Sequence, residues 1–351
     1  MKKLFAALTL LTVLLFVGCT SPQGTATPEA TPGSTAQTLP PYEQRTQVNI
    51  AILNGPTGMG ASKLMKDNDD KVSLNRYSFS QYSAPTDIMP LLINGELDIA
   101  ALPTNVAATI YNKTKGKVKL LALNTLGVLY VLSKDATIDS VEDLKGKTVY
   151  SSGQGSTPEY ALDYILSQNG IKDEVTVEYA ADHASLVAMC VAGQADTVVL
   201  PEPFVTTLLS KDLGYKNVID LNKAWDDACD GTKIFSMGCI VVRDEFAKQN
   251  PQAVLDFYKE YAQSVEYVNT NVDAAAEIIA GYKIVASAEL AKKAIPNCNI
   301  VCISAEEKSA NIFDFLKTLH EYNPQSVGGA VPDENLICKL SDLELAIAVF
   351  E

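Results

Sequence analysis

The chain has 351 residues, 47% of them hydrophobic, which is enough to bury two sizeable cores. Its formal net charge is −14, from 42 Asp and Glu against 28 Lys and Arg, and no basic run with interleaved aromatics occurs. That balance argues against a nucleic-acid partner, whose phosphates need cations, and leaves the acidic excess to serve solubility.

The first 19 residues read as a targeting segment. Lys2 and Lys3 precede an apolar run, Leu4–Val17, which ends at Gly18-Cys19. A run this short, followed by a polar tail, is a poor spanning helix. Gly18-Cys19 resembles the cleavage point of bacterial lipoproteins, although Phe16 stands where Leu is usual. That resemblance implies a diacylglyceryl group on Cys19 and export to the outer face of the cytoplasmic membrane. Residues 20–46 are rich in Thr, Pro, Ala, Ser and Gly and read as a flexible tether.

Beyond the tether the sequence repeats itself. Gly95-Glu-Leu-Asp98 and the apolar run to Leu102-Pro103 recur as Gly193-Gln-Ala-Asp196 and the run to Leu200-Pro201. The same offset carries Asn54-Gly55 onto Ser152-Gly153, and Thr86–Ile93 onto Ala184–Val191. A period this long predicts two sibling α/β units. Each starts with a β-branched run, Val48–Leu53 or Thr148–Tyr150, then a Gly-rich turn and an amphipathic helix. Continuous apolar strands alternating with helices predict mostly parallel sheets covered on both faces. Ligands of such sheets sit at the carboxyl ends of the strands. The expected domains are residues 47–133 plus 239–337 for the first lobe and 134–238 for the second. The chain would cross between them near Ser133 and near Cys239. The pattern after Asp244 is helical: Pro251–Asn269, Val272–Gly281, Ala286–Ala294 and Ala305–Tyr322.

The strand ends supply the candidate cleft residues. They are Asn54, Thr57, Gly58, Met59, Gly60, Tyr82, Thr104, Asn105 and Asn124 in the first lobe, and Gln154, Gly155, Ser156, Thr157, Tyr160, Glu202 and Phe204 in the second. Gly55-Pro-Thr-Gly-Met-Gly60 nearly fits a phosphate loop, but Ala61 holds the place of the required Lys. The turn still points free N–H groups at a ligand, as does Gly153-Gln-Gly155. Thr157 reads as an N-cap with Pro158 following. Glu202 is the one charged residue at a repeated junction, either complementing a helix dipole or accepting a ligand N–H.

Catalytic equipment is thin. The two histidines, His183 and His320, lie far apart, and His183 at a helix start reads as a structural or surface residue. No metal site or cofactor is expected. Of the seven cysteines, Cys190 reads as a buried small hydrophobe, and Cys239 either pairs with Cys298 or lines the cleft.

Taken in order, these features resemble the substrate-binding lipoproteins of ABC importers, in the group that takes nitrate, sulfonates, taurine or thiamine precursors. Val141–Val149 resembles that group's opening of the second lobe, Gly153–Tyr160 its ligand-facing turn, and Arg243–Asn271 its return helices. The resemblance implies a type II periplasmic-binding-protein-like fold with two lobes that close on a small solute. It also implies a membrane permease as partner, a monomeric chain and no chemical step. No Arg stands among the candidates, so an anion would depend on helix N-termini, whereas a planar nitrogenous solute suits the aromatics and Glu202. The alternative is a cleft enzyme of the same fold, of the menaquinone or thiamine-pyrimidine type.

Overall fold

The structure, a computed structural model, describes residues 39–348. The expected targeting segment, Cys19 and residues 20–38 of the tether lie outside the described residues. The first unit of the repeat folds as β1 (Gln47–Leu53), α1 (Pro56–Asp69), β2 (Arg76–Tyr82), α2 (Pro85–Ile93), β3 (Ile99–Leu102) and α3 (Thr104–Thr114), then β4 (Val118–Leu126) and β5 (Leu129–Ser133). The second follows as β6 (Thr148–Ser152), α4 (Thr157–Gln168), β7 (Thr176–Ala180), α5 (His183–Val191), β8 (Thr197–Pro201) and α6 (Phe204–Leu209), then β9 (Lys216–Asp220) and α7 (Leu221–Ala228). β10 (Ser236–Arg243) and β11 (Ile300–Ser304) are accompanied by α8 (Asp244–Gln249), α9 (Pro251–Thr270), α10 (Val272–Gly281), α11 (Ala288–Ala294), α12 (Ser309–Tyr322) and α13 (Leu340–Ala348). No helix among the described residues is long and apolar enough to cross a membrane.

Among the described residues, eleven strands form two sheets, in the orders β11-β4-β10-β3-β1-β2 and β7-β6-β8-β5-β9. The repeat is visible in this arrangement. β1 pairs in parallel with β2 and β3, as β6 does with β7 and β8. Beside these parallel strands, β10 runs antiparallel to β3 and β5 antiparallel to β8, and the remaining pairs, β10 with β4, β4 with β11 and β5 with β9, are antiparallel too. The α/β architecture of two helix-flanked sheets is therefore the one expected.

The expected crossing point needs correction. Leu129–Ser133, assigned above to the first lobe, pairs with β8 and β9 in the second sheet. The chain therefore leaves the first sheet after Leu126 and not near Ser133. On the return, all of Ser236–Arg243 pairs within the first sheet, so the crossing precedes Cys239. The long apolar run Val118–Ser133 is two strands in two sheets, divided only by Gly127-Val128.

β10 is buried along nearly all of its length, as a strand covered on both faces requires, and its side chains point alternately into two cores. Cys239 and Val241 face one core, while Ile240 and Val242 face another beneath α1 and α9. The first of these cores centres on Trp225, fully buried and stacked on Phe235 at 4.9 Å between centroids. α13, beyond the end of the expected first lobe, closes the other core with Leu343.

The repeated Gly-x-x-Asp has one structural job in both halves. Gly95 and Gly193 end α2 and α5 in the left-handed conformation, φ +80° and +72°, where a Cβ is unfavourable. Asp98 then fixes the end of β10: its carbonyl accepts from Arg243 N at 2.8 Å and its carboxylate from Arg243 Nη2 at 2.9 Å. Asp196 repeats this at the end of β5, with Lys134 N at 3.1 Å and Lys134 Nζ at 3.1 Å. The copies differ in exposure, the Asp98 side chain being 8% exposed and that of Asp196 72%. Asp98 also accepts from Asn49 N at 2.9 Å. Breaking a buried, hydrogen-bonded pair by removing one partner costs about 3 kcal/mol, whereas an exposed pair contributes less than about 1 kcal/mol. Asp98→Ala is thus expected to lower stability in urea melts by several times the loss from Asp196→Ala. Equal losses would show that burial does not govern the clamp.

Candidate ligand-binding cleft

A cavity of about 300 Å3 lies where the carboxyl ends of the parallel strands from both sheets meet. Asn54 follows β1, Ser83 follows β2 and Pro103 follows β3; Gly153, Ala181 and Glu202 follow β6, β7 and β8 in the same way. Met237 and Gly238 of β10 and Thr125 of β4 also line it. The ends of the strands are where open α/β sheets leave their crevice, because the connecting loops diverge there to opposite faces.

Of the candidate residues, Asn54, Thr57, Gln154, Ser156, Glu202 and Phe204 reach the cavity wall. Gly58, Met59 and Gly60 do not; they lie inside α1, with Met59 fully buried. A Cβ on Gly58 would come within 2.8 Å of the Leu53 carbonyl, and one on Gly60 within 2.9 Å of Tyr261 Oη. These glycines let α1 pack closely on β1 and α9. Thr104 and Asn105 are buried at the start of α3. Thr104 Oγ1 meets Ser236 Oγ at 2.7 Å, while Asn105 accepts from Thr157 Oγ1 at 3.1 Å and donates to the Ser326 carbonyl at 2.9 Å. Asn105 thereby ties α3 of the first half to the start of α4 of the second. The N-cap of α4 is Ser156, and Thr157 is already helical, so the helix starts one residue earlier than expected. Tyr82 and Tyr160 pack half-buried on the main core, and Gly155 is exposed. Asn124 lies buried behind the wall.

Cys239 neither pairs nor lines the cavity. It is fully buried in β10 opposite Leu102, and burial pushes its thiol up to about 12. Cys298 packs against Met59, its Sγ 3.9 Å from Sδ, and every cysteine among the described residues is free. Cys190 is buried among apolar neighbours, as expected. No group of metal-ligating side chains forms among the described residues.

His183 corrects the sequence reading. The residue capping α5 is Asp182, which accepts from Ser185 N at 2.6 Å, and His183 turns instead into the cavity. Its Nδ1 meets Ser152 Oγ at 2.6 Å, and its ring lies 5.1 Å from that of Phe204. Desolvation lowers its pKa from 6.5 to about 4, so the imidazole is neutral at physiological pH. Tyr179 and Met237 are further wall residues that lay outside the candidate set.

Glu202 is 3% exposed, so it is not the solvated first-turn acid of a surface helix. Its carboxylate accepts only from Thr206, at 3.1 Å from N and 3.0 Å from Oγ1. Burial raises its pKa above the ordinary carboxylate range, against the lowering effect of those two bonds. Among the described residues, Asp182 and Glu202 are the only charged side chains on the cavity wall, and no Lys or Arg lines it.

Comparison with known proteins follows the same line. No curated protein matches the chain by sequence. Among solved structures, it is similar to an ABC transporter protein from Parabacteroides distasonis, at 25% identity, covering 84% of this chain and 99% of that one with a TM-score of 0.70. It shares its fold with the periplasmic aliphatic sulphonate-binding protein SsuA of Escherichia coli, at 15% identity over 84% of this chain and 92% of that one, TM-score 0.67. The same holds for the periplasmic nitrate-binding protein NrtA of Synechocystis PCC 6803, at 11% identity over 88% and 90%, TM-score 0.62. The NMT1-like family matches residues 65–283, more than half of the sequence, and the chain belongs to that family.

Proposed function

We propose that this chain is an extracytoplasmic solute-binding lipoprotein of an ABC importer. It would capture a small polar solute between two lobes and hand it to a membrane permease. The observation that carries the reading is the cavity itself, walled by residues that follow corresponding strands of both sheets. A solute bound there touches both halves at once, so it stabilises whichever arrangement brings them together, and a permease can read that arrangement. The lobes, in this reading, are the two sheets with their helices, joined where β4 leads into β5 and where the chain returns to β10. Lipidation at Cys19, export and a monomeric state complete the proposal.

The charges on the wall favour a cationic or N–H-bearing solute. A buried carboxylate with a single neutral partner is poorly compensated, and a ligand cation or N–H donor would supply what it lacks. An anion would meet two carboxylates and no cation. Helix N-termini offer it about half a charge each, and at α4 Glu159 already occupies Gly155 N.

A cleft enzyme is the second reading, favoured by one observation: His183 meets Ser152 at 2.6 Å beside the cavity. Ser152 is 1% exposed, however, and does not line the wall. The pair therefore fixes the imidazole tautomer and orientation more readily than it attacks a substrate.

Native mass spectrometry of the full-length chain in mild detergent tests the proposal. We expect a stoichiometric small molecule that dissociates unaltered; turnover of that molecule would favour the enzyme. Affinity for the released solute should fall at least tenfold in Glu202→Gln, since charge-assisted bonds contribute about 1.5–3 kcal/mol.

The two shifted groups also give opposite pH signatures in the solute-free chain. The folded chain retains a proton on Glu202 that the unfolded chain has lost, so this residue reduces stability as pH rises from the ordinary carboxylate range through its raised pKa. His183 acts in the other direction. The unfolded chain protonates between pH 6.5 and about 4 while the folded chain does not, so stability falls as pH drops through that window. Urea melts of Glu202→Gln and His183→Gln across pH 4–8 should each lose one of these slopes relative to the parent.

A further inference from the structure

One group of buried side chains behind the cavity has no role in the account so far. Asn124 is fully buried, yet neither its Nδ2 nor its Oδ1 has a hydrogen-bond partner. The hydroxyls of Thr125 and Tyr261, residues 2% and 1% exposed, are unpartnered as well. A buried polar group left unpaired loses its hydration with nothing in return, and native folds leave few of them. Three at one spot call for a ligand or solvent partner.

The three are neighbours by construction. Asn124 and Thr125 sit where the pairing of β4 with β10 shifts register between Gly238 and Cys239. Such an irregularity frees a residue from the regular ladder and re-aims its side chain. The Tyr261 hydroxyl comes in from α9, close to the Asn124 amide but outside hydrogen-bond geometry. Two glycines make the space. A Cβ on Gly60 would lie 2.9 Å from Tyr261 Oη, and one on Gly238 would lie 2.6 Å from Asn124 Oδ1. Gly238 and Thr125 are themselves cavity-wall residues, so the orphaned amide lies directly behind the wall at its one point without a side chain in β10.

We propose that Asn124, reached past Gly238, reads an amide-like edge on the solute, an N–H donor beside a C=O or ring-nitrogen acceptor. This rests on the solute-capture reading and names the chemical class that the cavity selects. A carboxamide presents one acceptor and one donor in a single plane, and a lactam, primary carboxamide or amidine edge satisfies both reciprocally. The Thr125 and Tyr261 hydroxyls rotate to serve either polarity. A sulfonate or nitrate offers acceptors only, and a quaternary ammonium neither, so each leaves half of the amide unpaired. Sites built around such groups reject ligands that lack the edge.

The test uses the full-length chain in mild detergent, calorimetry, and melting curves without ligand. Nicotinamide, cytosine and hypoxanthine carry the edge; tetramethylammonium, methanesulfonate and benzoate do not. At least one edge-bearing probe should bind the parent, and the other three should not compete with it. Asn124→Leu, close in shape but apolar, should weaken that probe at least tenfold while leaving the ligand-free melting temperature unchanged or higher. Gly238→Ala should weaken it too, because its Cβ would press on Asn124 Oδ1 at 2.6 Å, and it decides the matter if Asn124→Leu fails to fold, since φ at Gly238 is not positive and alanine strains no backbone angle there. Binding within twofold of the parent in the variants, or no binding of any edge-bearing probe, overturns the inference and assigns Asn124 to buried water. A co-purified solute without such an edge, held equally well by Asn124→Leu, would overturn this inference while leaving solute capture standing.

Discussion

Each sheet in this molecule is incomplete until a strand arrives from across the crossing, and that exchange is the constraint on which the rest depends. β5 supplies the second sheet with the strand antiparallel to β8, and β10 supplies the first with the strand antiparallel to β3. Neither half can satisfy the hydrogen-bonding edge of its third parallel strand from its own parallel strands, and unpaired edges are costly. The exchange also determines where the crevice lies. The strands that cross pass close to the ends of β3 and β8, so Met237, Gly238 and Val128 join the wall beside Pro103 and Pro201. Asp98 and Asp196 fasten the far ends of the same two strands. Sheet completion and cavity formation are consequences of one topological choice.

The electrostatics of the crevice are set by burial more than by net charge. The chain carries a formal −14, but most of that is solvated, and solvated charge is screened within about a nanometre. Two carboxylates at the wall act at contact range, and Glu202 does so with little compensation from the protein. His183, which could have offset them as a cation, is kept neutral by its surroundings. The helix N-termini that the Gly-rich turns suggest are present, but Ser156 Oγ turns back to the Gly153 carbonyl and Glu159 takes Gly155 N. The turn of the second half is thus largely satisfied by its own chain, which weakens the phosphate-loop analogy in physical terms.

Much of this was legible in the sequence, because the repeat places four landmarks in register and strand ends follow from apolar runs. The parts that were not legible share a cause: they depend on contacts between residues far apart in the chain. Val118–Ser133 is apolar throughout, and nothing local marks Gly127-Val128 as the place where the chain changes sheets. His183 reads as a structural or surface residue at a helix start, and its place on the cavity wall emerges only once Ser152 and Phe204 are seen to hold its ring. Gly58 and Gly60 look like a ligand loop, but Leu53 and Tyr261 explain them as close packing. Asn124 was named from its position near a strand end, while the register shift that isolates its amide requires the partner strand.

The buried thiols carry a practical corollary. Cys239 and Cys338 are pushed to about 12 by burial, so almost none of each exists as the reactive thiolate at neutral pH. With no bridges among the described residues, native packing alone shields them. The molecule therefore contains its own reporters of local opening: an alkylating reagent will remain idle on the intact fold and mark, residue by residue, whichever layer loosens first.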